Sequence, residues 1–559
     1  MKKLLFLLVI ITACQRDIVP VKSRSASVSL TDINIGAYAN DPAADPLRTA
    51  FQKVNANNAL IEAAIAGKED ALGNPGVTGY VLSSTSEGTR SWVLNGAGGS
   101  GSKLNIINVT DYGVVADGVT DNALTLETLI TDNNTYFFPR GTYLIRRADF
   151  IDLTNVRFLG ELGTVFTTDG TGTDYQILYF KGPDQDNILI ENIKFQITAT
   201  QATEQSDACI RTGGGGANNL NGLTIRNCEF TCPNIYTQAI SIYNEDVGDL
   251  YQNILIENCW FHDIGRIGVE LYGTSTTGYT SKYKYITLRN NKFENTGLLG
   301  YGMAISLVGD YVTIENNLII NCRANQAIES SHGFFHRISG NRIIGIGNDN
   351  FWAQSLYYVD NVIYSNNIIN IPQIGAALSN ITVEIQHCKN ILISNNEISA
   401  SGSIKVTDTE YGRISGNNIK SPYQVGIFLA GGVDSLHVEG NRIDMTSTDN
   451  IGGIIVNGNL AQNTYNVIEN NYITAEDGIR YKWEYMTSTT NKVIDKVYYS
   501  GSLTDGAPTA TQINTITGLT PAVGAGSTFI IKDSDGTGLF YEVKSSGTSW
   551  YYQSSTAAL

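Results

Sequence analysis

The sequence predicts a right-handed parallel β-helix, an all-β solenoid, and three observations support this fold class. A six-residue phrase with apolar residues near both ends recurs through the middle of the chain. Its third residue is always Asn or Gly, and its fourth residue is Asn in the last eight copies. The copies begin at Ile190, Ile225, Ile256, Leu288, Ile314, Ile338, Tyr364, Ile393, Ile414, Val438 and Ile468.

The spacing of the phrase is that of one supersecondary unit per copy. Neighbouring fourth positions are 21 residues apart at the closest (Asn396 to Asn417) and 35 at the widest (Ile193 to Cys228). A repeat of this length cannot bury its own apolar face and has to stack on its neighbours. The apolar runs are short, β-branched and interrupted by turn residues, which excludes an α-helical solenoid.

The phrase itself predicts a sharp corner between strands. Asn and Gly most readily adopt the left-handed backbone conformation that such a corner requires. Equivalent residues of stacked coils lie about 4.8 Å apart, so the fourth-position asparagines are expected to hydrogen-bond along the stack. Cys228 and Cys259 occupy the same column, where we predict buried core thiols. A disulfide among the remaining cysteines after Cys14 stays open.

Composition and charge limit the partners of the chain. The 559 residues carry a formal net charge of -16, and only 16% of them are charged. Nothing in the sequence forms a basic stripe, so nucleic acid is excluded as a partner. An acidic polymer would need a local basic patch or a bridging cation in order to bind.

The first fourteen residues resemble a bacterial export signal. Two lysines precede a short apolar run and a small-residue cleavage site. The segment Ile11–Cys14 further resembles a lipobox, which implies that Cys14 is lipidated and becomes the new N-terminus. A simple signal peptide over residues 1–14 is the alternative.

Residues 15–103 are predicted to form a tether, an amphipathic helix and a small fibre-like attachment module. The segment Asp45–Asn55 resembles one that recurs in tailed-phage structural proteins, and Gly79–Val93 resembles small β-modules of tail fibres. The resemblance implies contact with phage tail or baseplate proteins through residues 15–103. A Gly- and Ser-rich linker over Gly96–Ser102 follows.

The start of the predicted solenoid resembles the pectate-lyase-like β-helix superfamily, which includes polysaccharide lyases, glycoside hydrolases and phage tailspikes. The resemblance lies in Ile107–Asn122 and Tyr136–Ile145, and it departs from the usual phrase at Ala116 and Asn122. It implies the fold but carries no catalytic residue over, because the familiar active-site phrases of polygalacturonases and pectate lyases do not occur.

The resemblance and the repeats together set the expected domain limits. We predict the parallel β-helix over residues 104–497 and a small C-terminal β-module over 498–559, where short strands alternate with Asp-Gly and Ser-Gly turns. Asp117 and Asp121 precede a predicted helix, through Leu129, that would cover the open end of the core. We therefore interpret these two carboxylates as structural.

One outward-facing column of side chains is the predicted functional surface. Three glutamates fall in it within five coils, which is unusual for an ordinary solvated face. Glu329 and Glu384 each have a histidine three residues later, His332 and His387, although the chain has only five histidines. The aligned column is Ser241, Glu270, Ser306, Glu329, Gln354, Glu384, Lys405, Phe428, Ile455 and Arg480.

Two reactions fit this column. In glycosidic hydrolysis, two carboxyls act as acid and as base or nucleophile, and residues two coils apart lie at roughly the spacing that inverting enzymes use. The pair is either Glu329 with Glu384 or Glu270 with Glu329. No cofactor is expected for this reaction, and no metal site is predicted.

In β-elimination from a uronate, a base removes a proton while another group neutralises the carboxylate. His332, His387, Tyr357 or Lys405 would supply the base, and Gln354 or a bound Ca²⁺ ion would neutralise the carboxylate. For either reaction the predicted substrate-binding residues are Arg266, Tyr272, Gln354, Tyr357 and Lys405, because aromatic faces stack on sugar rings and polar tips bind hydroxyls.

Three functional hypotheses follow from the sequence. The first is a polysaccharide-depolymerising tailspike-type protein in a phage virion, expected as a homotrimer and favoured as a glycosidase. The second is a polysaccharide lyase that acts as an outer-membrane lipoprotein through Cys14. The third is a non-catalytic glycan-binding fibre or adhesin. All three place the protein outside the cell, with an extracellular or cell-surface polysaccharide as partner.

Overall fold

The computed structural model divides the chain into two compact units, Met1–Leu104 and Asn105–Leu559. In the first unit, Tyr80–Ser84 and Arg90–Leu94 form an antiparallel pair. The signal segment 1–14 with Cys14, and the segment Asp45–Asn55, lie outside the described residues. The structure describes residues 56, 80–84, 90–94, 106–169, 175–200, 208–213, 218–244, 249–273, 282–299, 302–323, 326–345, 352–371, 381–400, 402–421, 425–445, 452–457, 463–475, 481–484, 491–498, 508–517, 520–522, 525–532 and 540–555.

The second unit confirms the predicted right-handed parallel β-helix, whose coils present three faces that we name A, B and C. The strands Gln326–Ser339 and Trp352–Ser365 each run from face A into face B. The other strands of face A are Ala148–Ile151, Leu178–Lys181, Ala208–Thr212, Gln238–Asn244, Val269–Gly273, Ile305–Val308, Ile381–Gln386, Ser403–Thr407, Val425–Ala430, Gly452–Asn457 and Tyr481–Glu484.

Faces B and C complete each coil. The other strands of face B are Ile106–Asn108, Thr135–Phe138, Arg157–Gly160, Gln185–Glu191, Asn219–Arg226, Leu250–Glu257, Tyr283–Arg289, Asp310–Glu315, Lys389–Ser394, Glu410–Ser415, Asp434–Glu439, Val467–Glu469 and Lys492–Tyr498. The strands of face C are Asp117–Asp121, Gly141–Leu144, Thr164–Thr168, Lys194–Ile197, Glu229–Cys232, Trp260–Ile264, Lys292–Thr296, Leu318–Ile320, Arg342–Ile344, Ile368–Asn370, Glu397–Ser399, Asn418–Ser421, Arg442–Met445 and Tyr472–Ala475.

The corner between faces B and C confirms the prediction made from the repeated phrase. Every third-position residue has a positive φ between 54° and 68°, from Asn192 through Gly340 to Asn470. The eight fourth-position asparagines, from Asn291 to Asn471, are buried, and each one before the last donates an Nδ2–H to the Oδ1 of the next at 2.8–3.1 Å. We call this chain of amides the asparagine ladder.

Apolar side chains fill the interior of the stack. On face C, Phe195, Phe230, Phe261 and Phe293 stack in parallel with centroids 4.6–5.0 Å apart. The two thiols below the asparagine ladder are buried as predicted, and Cys259 donates its S–H to a backbone carbonyl of the preceding coil. The six cysteines of the described residues are all buried and free, so none of them forms a disulfide.

The N-terminal end of the solenoid is covered by a short helix, Ala123–Leu129, whose Leu126 is fully buried. Asp121 accepts a hydrogen bond from the first backbone N–H of this helix, at 3.1 Å. Asp117 accepts hydrogen bonds from two backbone N–H groups of the following turn. Both carboxylates are thus used in local structure, as we interpreted them. A single 3-10 turn, Val109–Tyr112, precedes them.

The segment predicted as a C-terminal module contains a helix, Ala510–Thr517, and three strands. Thr528–Lys532 pairs in parallel with the last strand of face B, and Phe540–Ser545 and Trp550–Ser555 follow in antiparallel order. These strands therefore extend the sheet of face B. No helix among the described residues is long and apolar enough to cross a membrane.

Candidate active site

The outward column of face A brings the three predicted glutamates into register. Glu270 pairs with Ser306, and Ser306 pairs with Glu329. Glu329 pairs with Ser355, and Ser355 pairs with Glu384. Each glutamate is therefore separated from the next by one coil that carries a serine. With strands about 4.8 Å apart, the Cα atoms of neighbouring glutamates are about 10 Å apart.

The predicted position of Gln354 in this column is wrong by one residue. Gln354 pairs with Ile328 and Val383, and its side chain is fully buried. Successive side chains of a strand point to opposite sides, so a slip of one residue moves Gln354 from the surface into the core. Gln354 is thereby removed as a substrate-binding residue. Arg480 lies outside the described residues, and Lys482 pairs with Ile455 in its place.

Glu329 is the carboxyl with the most unusual surroundings. Burial raises the pKa of Glu329, and the negative charge of Glu270 raises it further. Within the part of the chain that the structure describes, its carboxyl has no hydrogen bond and no ion pair. A carboxyl in this state keeps its proton to a higher pH than an ordinary glutamate does, which suits a group that delivers a proton to a bound substrate.

Glu384 has the opposite surroundings, because both of its oxygens are held. Lys405 Nζ lies 3.0 Å from Oε1, and the Tyr357 hydroxyl donates to Oε2 at 2.7 Å. The Glu384 side chain is 6% exposed and the Lys405 side chain is 24% exposed. Burial and the hydrogen bond to Glu384 raise the pKa of Tyr357, so this phenol is a donor and not a base. Two of the predicted substrate-binding residues therefore position Glu384.

Glu270 ends the acidic part of the column. Gln238 donates a hydrogen bond to Oε2 of Glu270 at 2.5 Å. Arg266 precedes Glu270 by four residues, and its guanidinium lies 4.0 Å from Oε1. The predicted binding residue Tyr272 is half exposed and stacks on Tyr243 with centroids 5.9 Å apart. Tyr272 follows Glu270 by two residues in the same strand, so the two side chains lie on the same outward side of face A.

The two predicted histidines lie beside the column and not in it. His332 and His387 occupy the corner between faces A and B, and both have a positive φ near 52°. Tyr358, and not Tyr357, lies between them, and its ring stacks on His332 and His387 with centroids 5.0 and 4.6 Å apart. The one-residue slip at Gln354 explains this difference, because it moved Tyr358 out of the aligned position.

A pocket of about 620 Å³ opens at this corner. Burial lowers the pKa of His332, which therefore stays neutral at neutral pH. His387 lies 3.8 Å from Asp408 and 3.1 Å from the Gln386 side-chain nitrogen. The residues that line the pocket are Asp310, His332, Gly333, Phe334, Tyr358, Asp360 and His387.

Potential metal ligands come together at one place in the described residues, outside both the column and the pocket. One ligand atom from each of His437, Glu439 and Glu469 lies within 4.8 Å of the others, on face B. His437 is 2.9 Å from Glu469, and Arg413 forms an ion pair with Glu439. The guanidinium already supplies positive charge to this cluster, which is distant from the glutamate column along the coil. We interpret it as an ion-pair network.

Sequence reasoning missed a cationic group at the N-terminal end of the column. The register continues from Ser241 back to Arg211 and Tyr179. The charged groups of Arg147, Lys181 and Arg211 lie 4.8–5.7 Å from the ring centroid of Tyr179. The aligned column began at Ser241, so it stopped short of Arg211, which lies between the copies of the phrase at Ile190 and Ile225.

Comparisons with known proteins agree with this architecture. Residues 106–329 match the family model described as rhamnogalacturonase A/epimerase, pectate lyase-like. A curated protein of Penicillium expansum, described as the non-secreted LysM effector LysM19, is 32% identical over 120 residues. That match covers 17% of this chain and 10% of the fungal protein, so the chain spans about a tenth of the relative that it matches.

Solved structures with a similar course of the chain come from several sources. The A-module of the Azotobacter vinelandii mannuronan C-5 epimerase AlgE6 has 15% identity and a TM-score of 0.39, over 69% of this chain and 97% of that one. Tailspike protein 3 of bacteriophage CBA120 has 12% identity and a TM-score of 0.41, over 87% and 75%. The pre-mature gene product 12 of bacteriophage phi29 has 15% identity and a TM-score of 0.47, over 70% and 54%.

These identities and TM-scores are too low to carry a substrate or a reaction over to this chain. The sequence match to the family model is independent of them and begins where the repeated coils begin. The chain forms a right-handed parallel β-helix, and residues 106–329 of it match the pectate-lyase-like family model.

Proposed function

We propose that this protein binds an extracellular or cell-surface polysaccharide and cleaves it by glycosidic hydrolysis on face A. Glu329 is the general acid, and Glu384 is the base that activates water. The observation that carries the proposal is the pair of contrasting carboxyls in one outward column. Glu329 has a raised pKa and no hydrogen-bond partner in the described chain, whereas Glu384 is held by Lys405 and Tyr357.

The spacing of the two carboxyls supports an inverting reaction. Their Cα atoms are about 10 Å apart across one intervening coil, so the carboxyl groups can approach the roughly 6.5–9.5 Å that leaves room for a water molecule. Ser355, the residue between them, has a small side chain. Glu270 lies two coils from Glu329 in the opposite direction along the stack. Glu270 and Glu329 are therefore the competing pair of carboxyls.

The test is to incubate the purified chain with a panel of neutral and acidic polysaccharides. New reducing ends and the ultraviolet absorbance of unsaturated uronates are followed together. The proposal predicts reducing ends without absorbance, and their loss in Glu329→Gln and Glu384→Gln but not in His387→Asn. Loss in Glu270→Gln with retention in Glu384→Gln would transfer the base role to Glu270.

The other two functional hypotheses are distinct outcomes of this assay. Absorbance together with reducing ends, abolished by a change at His332 or His387, would identify a lyase. In that case calcium dependence would be tested with a chelator. Retention of the protein on a polysaccharide without either signal would identify a glycan-binding fibre or adhesin.

Location and assembly are proposals that rest on the N-terminal sequence. The protein acts outside the cell, as a tailspike-type homotrimer that contacts tail or baseplate proteins through residues 15–103, or as a lipoprotein anchored through Cys14. Metabolic labelling with a radioactive fatty acid, compared between the natural chain and Cys14→Ser, separates these two. Sedimentation velocity of the purified chain gives the number of subunits.

A further inference from the structure

One wall of the corner pocket is formed by aromatic rings at backbone positions with a positive φ. In each of six consecutive coils, the residue three positions after the column residue lies at the corner between faces A and B and has a positive φ. These residues are Gly309, His332, Tyr358, His387, Asp408 and Gly431. Gly, Asp and His adopt this conformation more readily than other residues, whereas the Tyr358 ring does so only when its surroundings hold it there. The three rings occupy consecutive coils and lie on the pocket wall. Within this corner column, the rings are thus confined to the coils that form the pocket.

The floor of the pocket requires glycine. A Cβ atom at Gly333 would lie 1.7 Å from the carbonyl oxygen of Gly309 and 3.0 Å from His336 Nε2. The chain therefore turns close to the preceding coil at this point.

The polar groups of the pocket are acceptors rather than cations. Asp310 and Asp360 flank Phe334 in one column of face B, where Phe334 N–H donates to Asp310 at 2.9 Å. Asp360 is exposed, and its carboxylate has no hydrogen bond or ion pair with any other described residue. None of the described residues that line the pocket is a lysine or an arginine. Such a lining repels an anionic ligand and accepts hydrogen bonds from hydroxyl groups.

A metal ion does not account for these carboxylates and imidazoles. A set of three such groups with ligand atoms close enough to share an ion occurs in the described chain only at His437, Glu439 and Glu469, on a different part of the solenoid. The exposed rings point instead to a ligand with an apolar face. Tyr358 is 52% exposed and Phe334 is 43% exposed, although both are large aromatic residues.

We propose that this pocket is a second glycan-binding site that holds an uncharged sugar unit of the polymer, outside the glutamate column. The sugar ring packs on the exposed aromatic surface, and its hydroxyl groups donate to Asp360 and Asp310. His332 follows Glu329 by three residues, about 10 Å along an extended strand, so an oligosaccharide segment spans both places. The inference rests on the proposed function in taking a polysaccharide as the ligand, but it does not depend on cleavage.

The test uses the full chain with the substitution Glu329→Gln, so that the polymer is not cleaved during the measurement. Binding is measured by affinity electrophoresis through gels that contain dextran, β-1,3-glucan, mannan, polygalacturonate or alginate. On this background Tyr358→Asn removes the ring and keeps a residue that tolerates a positive φ. Tyr411→Asn is the matched control, because Tyr411 has φ 58°, is 53% exposed and is not part of the pocket lining. Thermal melting shows that each variant is folded.

The expected result is that at least one neutral polysaccharide retards the chain, and that Tyr358→Asn and Asp360→Asn each weaken retardation about tenfold while Tyr411→Asn leaves it unchanged. Asp360→Asn also gives the sign of the ligand charge, since it would strengthen retardation by an anionic polymer. Retardation by acidic polymers alone, retardation that is indifferent to Tyr358, or no retardation by any polymer would overturn the proposal.

These outcomes are separable from failure of the proposed function. Retardation that depends on Tyr358 without any cleavage by the natural chain would support the second site and refute the hydrolase. Cleavage that depends on Glu329, with retardation unaffected by Tyr358→Asn, would support the hydrolase and refute the second site. Loss of catalysis at saturating short substrate in Tyr358→Asn would assign the ring to the catalytic site and overturn the inference.

Discussion

At the scale of single residues, Glu329 and Glu384 are two carboxyls of one column with opposite environments. Replacing either with Gln is expected to lower kcat at least about 100-fold, because acid or base catalysis is lost. The effects on stability have opposite signs. A carboxyl whose pKa is raised in the folded state costs stability as pH rises past its ordinary range, so Glu329→Gln raises Tm at pH 7. Glu384→Gln lowers Tm, because Lys405 loses its counter-charge.

Kinetics and thermal melting of the two variants check this prediction together. The control is Glu410→Gln, whose carboxylate forms an ion pair with Lys389 in which both partners are about half exposed. Such a pair contributes little, and we expect no change in kcat. An equal fall in Tm for Glu329→Gln and Glu384→Gln would contradict the environments described for them.

His336 predicts a pH dependence of stability that is independent of catalysis. Its ring is fully buried, with Nε2–H donating to the Gly309 carbonyl at 2.7 Å and Nδ1 2.8 Å from the Ser330 hydroxyl. Burial lowers the pKa of His336 to about 4. The unfolded chain therefore binds a proton between pH 6.5 and 4 that the folded chain does not, and stability falls as pH falls through this window.

The expected loss between pH 7 and pH 5 is about 2 kcal/mol in the free energy of unfolding. Denaturant titration at the two pH values measures it, and His336→Gln should remove this part of the dependence. The nearby Asp310 and His332 also affect the charge at this site, so each variant is compared with itself at both pH values. A pH dependence that persists in His336→Gln would show that another group causes it.

The residues of the site show where sequence reasoning succeeds and where it stops. Glu270, Glu329 and Glu384 were aligned correctly, because a buried apolar residue directly precedes each of them and marks the inward side. The coil of Ser355 was misaligned, since buried Gln354 and Ser355 are both small or polar and neither marks the inward side. The contacts of Glu384 with Tyr357 and Lys405 come from neighbouring coils, and no local pattern in the sequence encodes them.

At the scale of structural elements, the asparagine ladder is the strongest link between sequence and fold. Each buried amide bonds to the amide of the next coil and to a backbone carbonyl of the coil before, as Asn367 does with Asn396 and Ile338. The repeated phrase made this element predictable, because backbone at a buried corner must be paired and only one residue type recurs there. The aromatic stack of His332, Tyr358 and His387 has no such repetition and was not predicted.

Asn367→Ala is expected to destabilise the protein by about 2–5 kcal/mol, because the backbone N–H and one side-chain N–H of Asn341, and the Ile338 carbonyl, are buried and lose their hydrogen bonds to Asn367. Asn390→Ala is the comparison, since Asn390 is exposed and bonds only to the outer Asn361 at 3.2 Å. We expect that change to cost about 1 kcal/mol, from its positive φ. Equal losses in the two variants, measured by denaturant unfolding, would show that the buried ladder has no special role.

At the scale of the whole molecule, the net charge of -16 predicts which polymers the protein accepts. An acidic polysaccharide is repelled over a distance that added salt shortens, whereas a neutral one is not. We therefore expect KM for any acidic substrate to fall as NaCl is raised from 20 to 200 mM, and KM for a neutral substrate to stay within about twofold. Initial rates at both salt concentrations measure this.

A rise of KM with salt on an acidic polymer would contradict the prediction. It would indicate that local positive charge, for instance around Tyr179, outweighs the overall field. The balance between such a cluster and the total charge is a property of the assembled solenoid. Composition alone gives only the total.

The alternation of glutamate and serine coils on face A has a stereochemical consequence. Glu329 and Glu384 are separated by the coil of Ser355, and the asparagine ladder gives every coil in this region the same corner. Excision of residues 342–367 would join two equivalent corners and bring the two glutamates onto adjacent strands, about 4.8 Å apart. That is near the roughly 5–5.5 Å of retaining glycosidases. Under the proposed hydrolysis, the number of coils between these two glutamates would set the anomer of the product.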